Sequence, residues 1–296
     1  MSLDAHAMTY TFHPVAACDM CGSTDFRLLG QRLNGRQGMT PKSASGIAVS
    51  VKQCRDCDLI FADPQPVPAN LADHYGMPPE DYWAAADTAP AHDYFAAEIA
   101  AAKRLLPFKP GMTALDIGAG LGKAMRALTA AGFDTWGIEP SEPFYRRALD
   151  RVDPERLSLT TIEAADFPDA SFDFITFGAV LEHLYSPSQS IGKALKWLKP
   201  GGVIQAEVPN ANHLVARLIN RYFRLRGTNY VTHISPMHSP FHLYEFSLRS
   251  FKKYRVADHH FAVCEVMNLP GVVHPLLKWW MARTATGMQL TVYLQH

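Results

Sequence analysis

The sequence predicts an α/β protein built on a doubly wound parallel sheet, with a small cysteine-bearing module ahead of it. Three observations predict this. From Thr113 onward, strand-length apolar runs alternate with helix-length amphipathic runs, the order that a parallel sheet flanked by helices requires. One of those runs passes directly into a turn with glycine at alternate positions, Gly118, Gly120 and Gly122. Four of the five cysteines fall between Cys18 and Cys57.

In chain order, Phe26 to Leu29 and Ile47 to Val51 read as strands of the N-terminal module, with a polar loop from Gly35 to Gly46 between them. Pro64-Gln65-Pro66-Val67-Pro68 punctuates the chain. Leu71 to Tyr75 is a short helix candidate and Pro78 to Pro90 a linker. Tyr94 to Leu106 has helical periodicity in Phe95, Ile99, Ala102 and Leu106. Thr113 to Ile117 is a strand, Lys123 to Ala131 a helix stopped at Gly132, Asp134 to Ile138 a strand and Glu142 to Arg151 a helix. Leu157 to Ile162 and Phe172 to Phe177 are strands. Ser188 to Leu198 is a helix ended by Lys199-Pro200-Gly201-Gly202, and Val203 to Val208 is a strand. Asn210 to Leu243 shows no regular period. Ser247 to Tyr254 reads as a helix, with Phe261 to Val266 and Gln289 to Leu294 as closing strands. The expected organisation is a module over 1–75, a linker over 76–93 and an α/β domain over 94–296, with an acceptor-binding insertion at about 210–245.

Hydrophobic residues make up 48% of the 296-residue chain, enough for a sizeable core. The 28 basic and 28 acidic side chains cancel, which argues against a broad nucleic-acid footprint. No apolar run is long enough to span a bilayer, and Met1 to Pro14 lacks the apolar core of a secretory signal. The expected location is the cytoplasm, with no membrane partner.

Glycines let a backbone approach a ligand without a Cβ clash, and the helix that follows presents free N–H groups. The next strand ends in Gly137-Ile138-Glu139, where a carboxylate can accept both hydroxyls of a ribose. No Gly-Lys-Ser/Thr follows at the spacing a P-loop needs, and the third glycine comes one residue early for a dinucleotide fingerprint. The run Leu115-Asp116-Ile117-Gly118-Ala119-Gly120-Leu121-Gly122 resembles the cofactor loop of class I S-adenosylmethionine-dependent methyltransferases, which have a Rossmann-like sheet. The resemblance implies cofactor contacts at Asp116, Gly118, Ala119, Gly120 and Gly122, and a ribose role for Glu139. It continues through Glu163-Ala164-Ala165-Asp166-Phe167-Pro168, where Ile162 and Glu163 are implied beside the adenine. It continues again through Val180-Leu181-Glu182-His183-Leu184 and Leu195 to Gly202.

Cys18-Asp19-Met20-Cys21 and Cys54-Arg55-Asp56-Cys57 are two C-x-x-C knuckles in one short segment. Four thiolates complete a closed tetrahedral zinc shell of the structural kind. In a reducing compartment two disulfides are the weaker alternative. The segment resembles the zinc-binding module fused to a branch of these methyltransferases that includes sugar C-methyltransferases. Here the second pair is followed by Leu59 to Pro66 and then Tyr75, Tyr82 and Trp83. The chain is not expected to carry the extra C-terminal domain of the longer sugar enzymes. Cys264 reads as a buried apolar residue.

Methyl transfer to an O, N or C acceptor requires alignment and, for O and C, removal of a proton. Histidine titrates in the right range, and the candidates are His183, His233, His238 and His242. His183 and His242 are the two expected to act. Glu182-His183 can equally cap or pack a helix, and His242 can equally hold its loop by a hydrogen bond. A four-histidine metal cluster is a further alternative, although the spacing matches no helical ligand pair. Tyr222, Phe223, Tyr230, Trp279 and Trp280 can wall a pocket or pack a core. Arg217, Arg221, Arg224 and Arg226 form a solvated basic face or meet an anionic acceptor. The expected function is methyl transfer from S-adenosylmethionine to a small-molecule acceptor, with zinc as a structural ion. An RNA methyltransferase and a non-catalytic cofactor-binding protein with a partner-recruiting zinc module are the alternatives.

Overall fold

A computed structural model describes residues 10–33, 48–68, 94–232, 234–236, 242–254, 258–265 and 275–295. Its centre is a seven-stranded sheet. The strands are β6 (Thr113–Ile117), β7 (Asp134–Glu139), β8 (Leu157–Leu159), β9 (Phe172–Gly178), β10 (Leu198–Pro209), β12 (Asp258–Glu265) and β13 (Gln289–Gln295). Their order is β12-β13-β10-β9-β6-β7-β8. From β10 to β8 neighbours pair in parallel, whereas β13 runs antiparallel to both β10 and β12.

Side-chain alternation explains why this sheet is covered on both faces. Ala114, Phe174 and Val203 point into a core with Ala101 and Ala102 of α1 (Ala96–Leu105), with Leu106 that follows it, and with Leu128 of α2 (Lys123–Ala130). Their chain neighbours Leu115, Ile175 and Ile204 enter the opposite core. That core contains Ile191, Ala194 and Trp197 of α4 (Pro187–Trp197), and also Cys18, Cys57 and Phe61 of the N-terminal module. A strand buried on both faces loses strict apolar–polar alternation, as Phe172 to Phe177 does, with only Asp173 and Thr176 polar. The helix α3 (Glu142–Ala148) follows β7 and buries Phe144 and Ala148.

The N-terminal module contains β1 (Tyr10–His13), β2 (Phe26–Leu33), β3 (Ala48–Cys54), β4 (Ile60–Asp63) and β5 (Gln65–Pro68). β2, β3 and β4 form an antiparallel sheet whose fourth strand, β11 (Tyr244–Glu245), comes from far along the chain. The proline-rich punctuation is itself a strand. β5 pairs with β1 alone, an edge position at which missing N–H groups are tolerated.

Three other expectations are corrected. The strand after Leu157 ends at Leu159 and does not reach Ile162. The stretch from Asn210 contains a twelve-residue helix, α5 (Leu214–Leu225), after which α6 (Leu248–Lys253) carries a Ser247 capping box. A further helix, α7 (Pro275–Arg283), precedes β13. Leu71 to Tyr75, the Gly35 to Gly46 loop, the 78–90 linker, Tyr82, Trp83, His233 and His238 lie outside the described residues.

Candidate active site and four-cysteine centre

The chain leaves β6 for β7 and β8, then returns to place β9 on the other side of β6. That reversal opens a crevice at the carboxyl ends of β6 and β9, the place where doubly wound sheets bind ligands. A cleft of about 580 Å³ lies there, within the usual range for small-molecule sites. Gly118, Gly120 and Glu139 form one part of its wall, Ile162 and Glu163 another, and Glu182, His183 and His242 a third. Ala119 and Gly122 do not line it; both shape the turn behind the wall. Asp116 does not line it either and is buried beneath the loop at 4% exposure.

The turn depends on glycine at defined points. Gly118 and Gly122 have φ of 74° and 71°. A Cβ on Gly118 would stand 2.6 Å from Val180 Cγ2, and one on Gly122 would stand 2.5 Å from Val152 Cγ1. The loop can therefore lie tight against β9's outgoing segment and α3's trailing end only without side chains. The Gly118 and Ala119 amides donate to Ile138 O, holding the loop on β7. Glu139 fixes its rim, with Oε2 accepting from Gly120 N at 2.7 Å and Oε1 from Ser141 N at 2.8 Å.

The floor of the loop is acidic. Burial, followed by the nearby Glu139 charge, pushes the Asp116 carboxyl up to about 7. Burial also raises Glu139, opposed by its two amide hydrogen bonds. Asp116 Oδ2 is buried with no hydrogen-bond partner. A carboxylate in that state favours a nearby positive charge.

At the other end, the short 3₁₀ turn Leu181–His183 delivers Glu182 and His183 directly after β9. His242 arrives from the segment before β11. The two imidazoles meet edge to face with centroids 4.4 Å apart, and Glu182, His183 and His242 each bring one polar atom within 4.8 Å of the others. Glu182 is fully buried, one of its carboxylate oxygens lacks a partner, and burial pushes it up to about 8. His242 Nδ1 is engaged by Ser235 Oγ, and Ser235 N donates to Glu245 Oε1. Sequence reasoning did not find Ser235 or Glu245, because nothing in their spacing marks a partnership that only the fold creates.

The four cysteines come together as free thiols. Cys18 Sγ and Cys57 Sγ are 3.4 Å apart, Cys21 Sγ and Cys54 Sγ are 3.6 Å apart, and all four lie within 4.8 Å of one another. A tetrahedral zinc with bonds of about 2.3 Å sets sulfur–sulfur edges of about 3.8 Å, so the donor set and its spacing fit the ion. Both knuckles are tied to the α/β domain. Ser247 Oγ and Ser250 Oγ both donate to Cys57 O, at 3.0 and 2.9 Å, and Ser188 N donates to Asp19 Oδ2 at 2.7 Å.

Residues 91–292 match a family of methyltransferase domains. The match spans well over half of the chain, and the protein belongs to that family, the S-adenosylmethionine-dependent methyltransferases with a Rossmann-like sheet. Among curated proteins, the chain is 33% identical over 108 residues to phosphoethanolamine N-methyltransferase 2 of Caenorhabditis elegans, covering 34% of this chain and 25% of that one. It is 30% identical over 135 residues to 2-methyl-6-phytyl-1,4-hydroquinone methyltransferase of Synechocystis, covering 44% and 41%. It is 31% identical over 106 residues to a ubiquinone biosynthesis O-methyltransferase of Bradyrhizobium, covering 34% and 42%. The chain thus spans less than half the length of these relatives. A solved S-adenosylmethionine-dependent methyltransferase from Mesorhizobium loti covers 68% of this chain and 98% of its own, with 15% identity and a TM-score of 0.48.

Proposed function

We propose that the protein transfers a methyl group from S-adenosylmethionine to a small-molecule acceptor in the cleft at the ends of β6 and β9. The observation that carries this reading is the shared cleft. The glycine turn with Glu139 forms one end and the paired imidazoles of His183 and His242 the other. In this assignment Gly118 and Gly120 give the cofactor backbone to lie against, with Ala119 and Gly122 setting the turn. Glu139 accepts the ribose hydroxyls, Ile162 offers an apolar face to the adenine and Glu163 an acceptor to its amine. Asp116 places negative charge beneath a cationic sulfonium.

The cofactor, when bound, supplies an activated methyl group. The chain must orient the acceptor and take its proton. We assign that proton to the His183–His242 pair, with Ser235 and Glu245 orienting His242. The acceptor oxygen or nitrogen gains the methyl carbon, its proton passes to imidazole, and the broken C–S bond leaves its electrons on sulfur. An oxygen acceptor fits the O-methyltransferases among the relatives. The four cysteines hold a structural zinc, which contributes no open coordination position.

The test is release of S-adenosylhomocysteine from S-adenosylmethionine in the presence of pooled small-molecule extracts. His242→Ala is expected to lower kcat by about 10²–10⁴-fold, the usual contribution of a positioned base, with cofactor affinity unchanged. Equal kcat in the variant contradicts the assigned proton transfer.

A further inference from the structure

The two helices absent from the sequence expectation, α5 and α7, leave much of their surface uncovered. Of the exposed large apolar side chains among the described residues, most lie on these two short elements. On α5 only Ala216 is buried. Leu218, Tyr222 and Leu225 are spaced by four and three residues, so they form one outward stripe; Leu225 is 80% exposed. Arg217, Arg221 and Arg224 repeat the same spacing one position earlier and run beside that stripe, with Arg226 just beyond it. On α7, Leu276 is 70% and Trp279 55% exposed, with Trp280 close behind, and Arg283 lies 4.4 Å over the Trp279 ring.

Neither helix contains an acidic residue, in a chain whose 28 basic and 28 acidic side chains cancel only when these helices are included. The two are also held together. Asn210 Nδ2 donates to Ala285 O and Gly287 O, and Leu214 N donates to Thr286 O, so the start of α5 is tied to the turn that ends α7. The inner face of α5 is pinned independently through paired Asn220–Thr232 hydrogen bonds, and at its edge the exposed Arg224 Nη2 donates to Leu29 O. Both helices attach where β10 ends and β13 begins, and Pro209 and Gln289 of those strands line the cleft.

We propose that α5 and α7 form a docking surface for an anionic phospholipid bilayer, on which the protein rests with its cleft mouth beside the lipid. Exposed Leu and Trp side chains bordered by Arg and Lys are the composition of a helix that lies in the membrane interface. The aromatic rings settle at headgroup depth, and each basic side chain adds attraction to an anionic leaflet. The expectation of no membrane partner rested on the lack of a spanning run. None of the described helices is long and apolar enough to cross a bilayer, and a surface-lying helix needs no such run. A second copy of the chain suits this face less well. A two-fold contact would set its arginine stripe against itself, and like charges face to face are repulsive.

The test is co-sedimentation of the full chain with vesicles of phosphatidylcholine alone and with added phosphatidylglycerol, followed also by tryptophan emission. The expected result is binding to the phosphatidylglycerol vesicles that weakens in high salt, with a blue shift on binding. L218E/L225E, W279A/W280A and R217E/R221E are each expected to lower vesicle affinity by about tenfold or more. These side chains are exposed, so thermal melting should be unchanged. No sedimentation of the parent chain, or equal sedimentation of all variants, overturns the proposal. So does a vesicle-free dimer that L218E/L225E dissociates, because the face is then an interface between copies.

Discussion

Glu139 carries two tasks in a side chain that is 6% exposed. Its oxygens accept the Gly120 and Ser141 amides and so shape the rim on which a ribose is proposed to sit. A hydrogen bond to a charged group is worth about 1.5–3 kcal/mol. Glu139→Ala is therefore expected to weaken S-adenosylmethionine binding by about tenfold or more, measured by calorimetry; unchanged affinity removes the assignment. Asp116 gives a pH signature. Its carboxyl, raised to about 7, is protonated on the acid side. A cationic sulfonium favours the ionised form, so binding below that value must expel a proton. Affinity for S-adenosylmethionine should rise as pH passes upward through 7 and level off above it. S-adenosylhomocysteine, with a neutral sulfur, should show a flatter profile. Parallel profiles for the two contradict a role for Asp116 beneath the sulfonium. The placing of Gly118, Gly120 and Glu139 on the cleft wall was legible in the strand–turn spacing, whereas Asp116, Ala119 and Gly122, expected as cofactor contacts, do not line the cleft. Ser235, whose hydroxyl engages His242, was not legible, since its value lies in a side-chain contact.

The two-residue strand β11 connects the four-cysteine centre to the cleft. Tyr244 and Glu245 pair with Phe61 and Ile60, Ala62 N donates to Leu243 O, and Leu243 N donates to Glu182 O at 2.7 Å. The N-terminal sheet therefore positions the segment that carries His242 and braces the one that carries Glu182. Cys54→Ser is expected to lose the proposed zinc binding, read by metal analysis. It should also lower turnover more than cofactor affinity, because the glycine loop is held on β7 through Ile138 and Glu139. Full zinc content in the variant rules out the four-cysteine site, and intact turnover without zinc rules out the bracing. The cysteine spacing announced a metal module. It could not announce that Cys57 O accepts from Ser247 and Ser250 some 190 residues later, a contact that depends wholly on long-range folding. The helices α5 and α7 escaped sequence reading for a different reason. Leu218, Tyr222 and Leu225 on one and Leu276, Trp279 and Trp280 on the other face outward, so their helical recurrence marks no core face of the kind the periodicity rule looks for.

At the scale of the molecule, the strand order places the glycine turn and the post-β9 turn on the two sides of one reversal point, and the inserted 242–247 segment closes the third side. The alternation of strands and helices was enough to anticipate this sheet, since its central strands β6 and β9 are buried along most of their length and are mainly apolar. A bilayer contact through α5 and α7 would orient the same cleft toward an acceptor held at a membrane surface. The central claim is that cofactor and proton acceptor share that single cleft. The most direct measurement is a crystal structure of the chain soaked with S-adenosylhomocysteine. The account predicts the ribose on Glu139, the adenine beside Ile162 and Glu163, and the sulfur facing His183 and His242. Density for the ligand in the other cavity of about 540 Å³, walled by Tyr94, Arg126 and Arg156, or a sulfur turned away from both histidines, would contradict it.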